Sequence, residues 1–120
     1  GEAVFKGDPT IVEAAIPEGI VRVDNMAFYE CYRLRRAILP DSLRAIGAGA
    51  FAECPQLKEV VVPNGVASIA RKAFDKNTTL VVAPYSYAQR WADENGIKTR
   101  VFDWQERLQE VQILRRAPRN

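Results

Sequence analysis

Ala37-Ile-Leu-Pro-Asp-Ser-Leu-Arg-Ala-Ile-Gly-Ala-Gly-Ala-Phe-Ala-Glu-Cys54-Pro-Gln-Leu57 is one period of a repeat. Its pattern returns 23 residues away on either side. Pro40 is matched by Pro17 and Pro63, Leu39 by Ile16 and Val62, and Leu43 by Ile20 and Val66. Ile46 is matched by Val23 and Ile69, and the pair Ala50-Phe51 by Ala27-Phe28 and Ala73-Phe74. Cys54 is matched by Cys31, with Asn77 at that place in the third unit. Ile11, Leu34, Leu57 and Leu80 close the frame.

A unit of 23 residues is too short to bury its own apolar positions, whereas stacked units share one continuous core. The pattern therefore predicts an α/β solenoid, right-handed, with parallel strands and short helical turns. The strands are expected in Ile11–Ile16, Leu34–Leu39 and Leu57–Val62, each ended by a proline that withholds an amide donor. A second apolar pair follows, such as Leu43 and Ile46. Gly47–Cys54 then reads as a helical turn with Phe51 inward. Gly47-Ala-Gly49 is a turn feature of this repeat; no glycine-rich phosphate loop follows a strand.

These units resemble the BspA-type leucine-rich repeats, whose pattern is roughly L-x-x-V-x-I-P-x-x-V-x-x-I-G-x-x-A-F-x-x-C. The resemblance covers residues 4–83. Asp24 and Ala70 stand where that family favours glycine, and Asn77 replaces the cysteine. The better-known leucine-rich pattern with a mid-unit Asn or Cys fits poorly, because Gly19, Ser42 and Gly65 occupy that column. The resemblance implies bacterial surface or secreted proteins that attach to proteins of a host or a neighbouring cell.

Four segments follow from this frame. Residues 1–10 read as the end of an upstream repeat or a degenerate N-terminal cap, since Val4-Phe5 aligns with Ala50-Phe51 and Asp8-Pro9 with Cys54-Pro55. Residues 11–83 hold three leucine-rich repeats. Leu80-Val-Val-Ala-Pro84 reaches its proline two residues early, so the period fails past Leu80. Residues 84–102 read as a C-terminal helix-strand cap: Ser86 caps a helix over Tyr87–Asn95, Gly96 ends it, and Ile97–Phe102 is a last strand. That stretch resembles the closing element after arrays of this family. Residues 103–120 read as a C-terminal helix and tail, with Trp104, Leu108, Val111 and Leu114 on one face. That face either docks back on the cap, the cheaper arrangement, or buries against another chain to give an oligomer.

Composition narrows the chemistry. The chain has 120 residues, of which 48% are hydrophobic and 27% charged, as in one globular domain. Its net charge of +2 speaks against a dedicated nucleic-acid partner. It has no histidine, which removes Ser-His and Cys-His nucleophile pairs and most zinc sites. No stretch approaches the ~20 apolar residues of a membrane span, and the N-terminal residues lack the apolar core of a signal peptide.

Residue by residue, no metal, cofactor or catalytic site emerges. Cys31 and Cys54 read as a buried ladder of small side chains, with Asn77 as its third member, in preference to a disulfide or a redox pair. Asn77-Thr78-Thr79 matches a glycosylation acceptor, but the frame points Asn77 inward. Asp24, Asp41, Glu53, Asp75, Asp93 and Glu94 show no paired arrangement. The outer strand face is the candidate site. One outward column runs Glu13, Arg36, Glu59, an alternating charge ladder expected to pair across strands. The next runs Ala15, Ile38, Val61, an exposed apolar strip that reflects either the strand preference of β-branched residues or a contact surface. Ala15, Arg36, Ile38 and Val61 are the candidate residues for binding a protein ligand, with Tyr29, Tyr32 and Arg33 as a second surface. The expected function is a non-catalytic protein-interaction module of adhesion type, with a structural spacer that displays another domain as the alternative.

Overall fold

The computed structural model describes residues 5–101. Its strands wind into a parallel solenoid of about four turns. Each full turn carries two strands. The longer ones are β1 (Glu13–Ala15), β3 (Arg36–Ile38), β5 (Glu59–Val61) and β7 (Thr79–Val82). The shorter ones, which fall where the sequence showed only an apolar pair, are β2 (Arg22–Val23), β4 (Ala45–Ile46) and β6 (Ser68–Ile69). The chain then forms helix α1 (Tyr87–Glu94) and strand β8 (Thr99–Val101).

Register follows the repeat. Glu13 lies beside Arg36 and Ala15 beside Ile38; Ile46 sits between Val23 and Ile69. The short strands form one sheet, β2-β4-β6. The long strands form two pieces, β1-β3 and β5-β7-β8, with no strand pairing between β3 and β5 among the described residues.

A third face carries the expected helical turn, and here the structure differs. Hydrogen bonds from Ala50 to Gly47 and from Ala52 to Gly49 span three residues each. They do not propagate into a helix, because left-handed residues interrupt the chain at two columns. Met26, Gly49 and Lys72 form one column (φ 57°, 62° and 58°), and Gly7, Glu30 and Glu53 the other (φ 70°, 61° and 59°). The freed amides point along the stack. Phe28 N–H donates to Ala50 O and Phe51 N–H to Ala73 O, both at 2.8 Å. The turns thus pair with one another much as strands do, and Phe51 and Phe74 form a parallel bridge.

Inside, the repeated columns meet. Phe5, Phe28, Phe51 and Phe74 stack with centroids 5.2 to 5.3 Å apart and planes within 8°. Leu34, Leu43, Ala50, Leu57 and Leu80 are fully buried. The first turn is less complete: Ile20, in the column of Leu43 and Val66, is 41% exposed, because no described turn lies above it.

The frame slips earlier than the prolines indicate. Leu80 pairs with Val60, and Glu59 with Thr79, so the third turn is shortened to a step of 20 residues. The residues lost are those between Phe74 and β7. Asp75 compensates: its carboxylate accepts from the Glu53 and Cys54 amides at 2.9 Å each. Thr78, fully buried, donates its hydroxyl to Leu57 O at 2.7 Å. Asn77 is consequently exposed, with Nδ2 donating to Pro55 O at 3.1 Å. The inward orientation expected for Asn77 is therefore wrong, and with it the steric objection to a glycan at that position.

The far end is closed on all three faces. Strand β8 pairs with β7. The Tyr87 hydroxyl accepts a hydrogen bond from the edge amide of Ile69 at 3.1 Å. Trp91 meets Phe74 edge-on at 6.2 Å. Ser86 caps α1 by accepting from Gln89 N–H, and Asn95 and Gly96 end it. The predicted helix over residues 103–116 lies outside the described residues.

Two substitutions test this packing. Phe51→Ala should cost about 3–5 kcal/mol, as deletion of a buried phenyl does, and lower the melting temperature of the whole array together. A melting temperature unaffected by it would contradict the column. Within Gly47-Ala-Gly49 the two glycines should behave differently. A Cβ on Gly47 would lie 2.5 Å from the Asn25 backbone nitrogen and 2.7 Å from the Asp24 carbonyl carbon. One on Gly49 meets only Met26 Cγ at 3.4 Å, at a left-handed φ that costs roughly 1–2 kcal/mol. Gly47→Ala should be the more destabilising in a denaturant melt.

Candidate functional site: the outer strand face and its margin

Alternation along each long strand puts the middle residue inward and its neighbours outward. Ala37 and Val60 are buried, Ala14 partly so, while Glu13, Arg36 and Glu59 are exposed. Ala15, Ile38 and Val61 are exposed too, the last two at 41% and 51%. The structure thus turns all four candidate residues, Ala15, Arg36, Ile38 and Val61, to the same outer side. Ala15 and Ile38 are register neighbours; Val61 lies across the unpaired step between β3 and β5.

The strip stops at β7. Val81, register partner of Val61, is only 1% exposed. Over this strand reaches Arg100 of β8, whose Nη2 lies 2.8 Å from Glu59 Oε1 and whose Nε lies 3.4 Å from Oε2. The charge ladder is therefore not wired as expected. Glu59 is engaged by Arg100, and among the described residues Arg36 makes no ion pair with Glu13 or Glu59. For Glu59 the reason is geometric: no strand pairing joins β3 to β5, whereas β8 pairs with β7 and a long guanidinium crosses one strand. Nothing in the repeat could reveal this, because Arg100 lies outside it.

The second surface divides. Tyr29 is half-buried on the turn face, with Lys6 Nζ 5.6 Å from its ring centre. Tyr32 and Arg33 instead border the strands. With Val12, Arg35 and Gln56 they line a concavity of about 410 Å³. Arg35 and Gln56 were not singled out from the sequence; their place beside Tyr32 and Val12 comes from stacking one turn on the next. At the first turn, a wider hollow of about 480 Å³ opens onto Phe5, Ile11, Ala14, Ile16 and Ile20.

The two cysteines are buried free thiols. Cys31 Sγ donates to Phe5 O and Cys54 Sγ to Phe28 O, each at 3.1 Å. Each thiol thus ties its turn to the one before. Burial pushes both thiols up, Cys54 to about 12. The thiol column ends at Cys54, since the shortened third turn carries Asn77 out of it. Among the described residues no group of three or more His, Cys, Asp or Glu side chains is placed to hold a metal ion. No described helix is long and apolar enough to cross a membrane.

A parallel solenoid with a stacked phenylalanine column and an exposed strand face is the build of a repeat protein. The family description for BspA type leucine rich repeat regions matches residues 1–116 in six copies. The chain belongs to the BspA-type leucine-rich repeat family. Leucine-rich repeat modules generally mediate protein interactions, and this solenoid type is typically non-catalytic; the family is associated with bacterial surface proteins. Searches of curated proteins and of solved structures each returned no match.

Thiol chemistry checks the interior. At pH 8 a thiol reagent should leave both cysteines unmodified in the folded protein and label two after denaturation. Cys54 holds its proton more tightly folded than unfolded, where thiols ionise near 9. Its contribution is thus fully present below pH 9 and is lost as pH rises from there toward 12, at up to about 1.4 kcal/mol per pH unit. Melting temperature should fall over that range, and less steeply in Cys54→Ala.

Proposed function

We propose that the chain is a non-catalytic, adhesion-type protein-interaction module that meets its ligand with the outer strand face. The observation that carries this is the exposed row Ala15, Ile38 and Val61 with Arg36 on its border. A side chain fixed on a hydrogen-bonded strand loses little freedom on association, so its burial is retained as binding energy. Apolar residues bordered by charge match the layout of an interface core with a polar rim. The absence of histidine from the sequence and the use of the buried polar groups in joining turns support a non-catalytic reading. The family's association with bacterial surface proteins supports a place at the cell surface or in secretion, facing a protein of a host or neighbouring cell.

The test is a photo-crosslinker placed at position 38 or 61, with position 71 on the turn face as control, followed by identification of the protein captured. Crosslinks confined to 38 and 61 are expected. Against the captured protein, Ile38→Asp should weaken binding about 30-fold or more, as loss of a central apolar contact does. It should cost the fold no more than about 1 kcal/mol, because the side chain faces solvent. Equal binding by Ile38→Asp would remove the strand face as the site.

A further inference from the structure

Beside the strip, Tyr32-Arg-Leu-Arg-Arg36 leads from the thiol column into β3. Leu34 is fully buried, while Tyr32, Arg33, Arg35 and Arg36 remain exposed. The preceding turn contributes Val12, whose carbonyl accepts from the Arg35 and Arg36 amides at 2.8 and 3.3 Å. The following turn contributes Gln56. The resulting hollow of about 410 Å³ is large enough to take a few ligand side chains.

Its lining carries charge of one sign, with the Glu30 carboxylate standing at the edge, on the Tyr32 hydroxyl. Three other hollows hold cations beside carboxylates: Arg22 shares one with Glu13 and Asp24, Lys72 and Lys76 with Glu53 and Asp75, and Arg90 with Asp93 and Glu94. The lining of this one contains two arginines and no acid. Among the described residues neither Arg33 nor Arg35 uses its guanidinium in a hydrogen bond or an ion pair. Tyr32 donates its hydroxyl to Glu30 Oε2 at 2.7 Å, which anchors the ring while half of it stays exposed. Two unengaged forks, an amide and an anchored aromatic therefore open onto one space.

We propose that this hollow binds an acidic segment of the partner protein. Arg33 and Arg35 take its carboxylates through paired N–H donors, and Tyr32 packs against the flanking residue. The proposal rests on the protein-interaction reading and adds the chemistry of the ligand. A protein carboxylate fits better than a nucleic acid: the whole chain carries only +2, and one aromatic offers no stacking row.

A fluorescein-labelled octaglutamate peptide, titrated into the full chain at low salt and followed by anisotropy, tests it without knowledge of the partner. The double variant Arg33→Gln, Arg35→Gln should weaken binding about tenfold or more, and Tyr32→Ala by a few-fold, with affinity falling as salt rises. Arg71→Gln with Arg90→Gln removes the same charge elsewhere and should stay within about twofold, since only local contacts are kept under screening. Equal losses in the two double variants, no binding by the wild-type chain, or tighter binding of a single-stranded oligonucleotide to the same arginines would each overturn the proposal. Ile38→Asp should leave the peptide bound. If it abolishes capture of the partner but the arginine pair proves inert toward the peptide, the strand face stands and the acidic ligand falls.

Discussion

Each turn of this chain is buried by the next turn and by little else. The turn-to-turn hydrogen bonds fix the vertical spacing, and residues 23 apart must then present compatible shapes to one another. The phenylalanine column shows how strict that condition is: four rings repeat at 5.2 to 5.3 Å and nearly parallel, an offset arrangement that aromatic quadrupoles tolerate where a direct face-to-face stack is disfavoured. The same spacing explains why polar groups recur inside. Cys31, Cys54 and Thr78 each donate to a carbonyl of the preceding turn, so each satisfies a backbone acceptor while joining two layers.

Stacking creates two difficulties that the structure handles locally. One is termination, since a last turn exposes apolar columns and strand edges. Here α1 and β8 meet each exposed face with a different group: Trp91 for the aromatic column, Tyr87 for the short-strand edge, and β8 for the long-strand edge. The other is a change of step. The third turn is three residues shorter than its neighbours, and Asp75 supplies through its carboxylate what the missing backbone would have accepted. A shortened turn is thus accommodated without opening the core, and Leu80 remains fully buried.

The proposed binding residues stand where the columns impose no constraint. Positions facing outward carry no packing requirement, so the Ala15, Ile38, Val61 row and the arginines ahead of β3 are free to answer to a ligand. Their rigidity comes from the layers beneath. The boundary of that surface is also set by stacking: Arg100 reaches over β7 to Glu59, and Val81 beneath that crossing is withdrawn from solvent.

The sequence alone determined the repeat, its inward columns, the outward direction of the candidate strip and the helix that closes the array, because each rests on local alternation or on a period that one chain can display. It also placed the cysteines correctly as buried thiols. It misjudged Asn77 and Leu80, since both were numbered by an unbroken period and a deletion inside a turn leaves no mark when the flanking residues still resemble the motif. It missed the left-handed turn residues, because Met26, Glu30, Glu53 and Lys72 are not types that advertise that conformation; only Gly7 and Gly49 in the same columns hint at it. Tertiary structure alone decided which charges meet. Arg100 with Glu59, and Val12 and Gln56 with the Arg33, Arg35 pair around one hollow, are brought together by the rise from turn to turn, a distance that sequence separation does not encode.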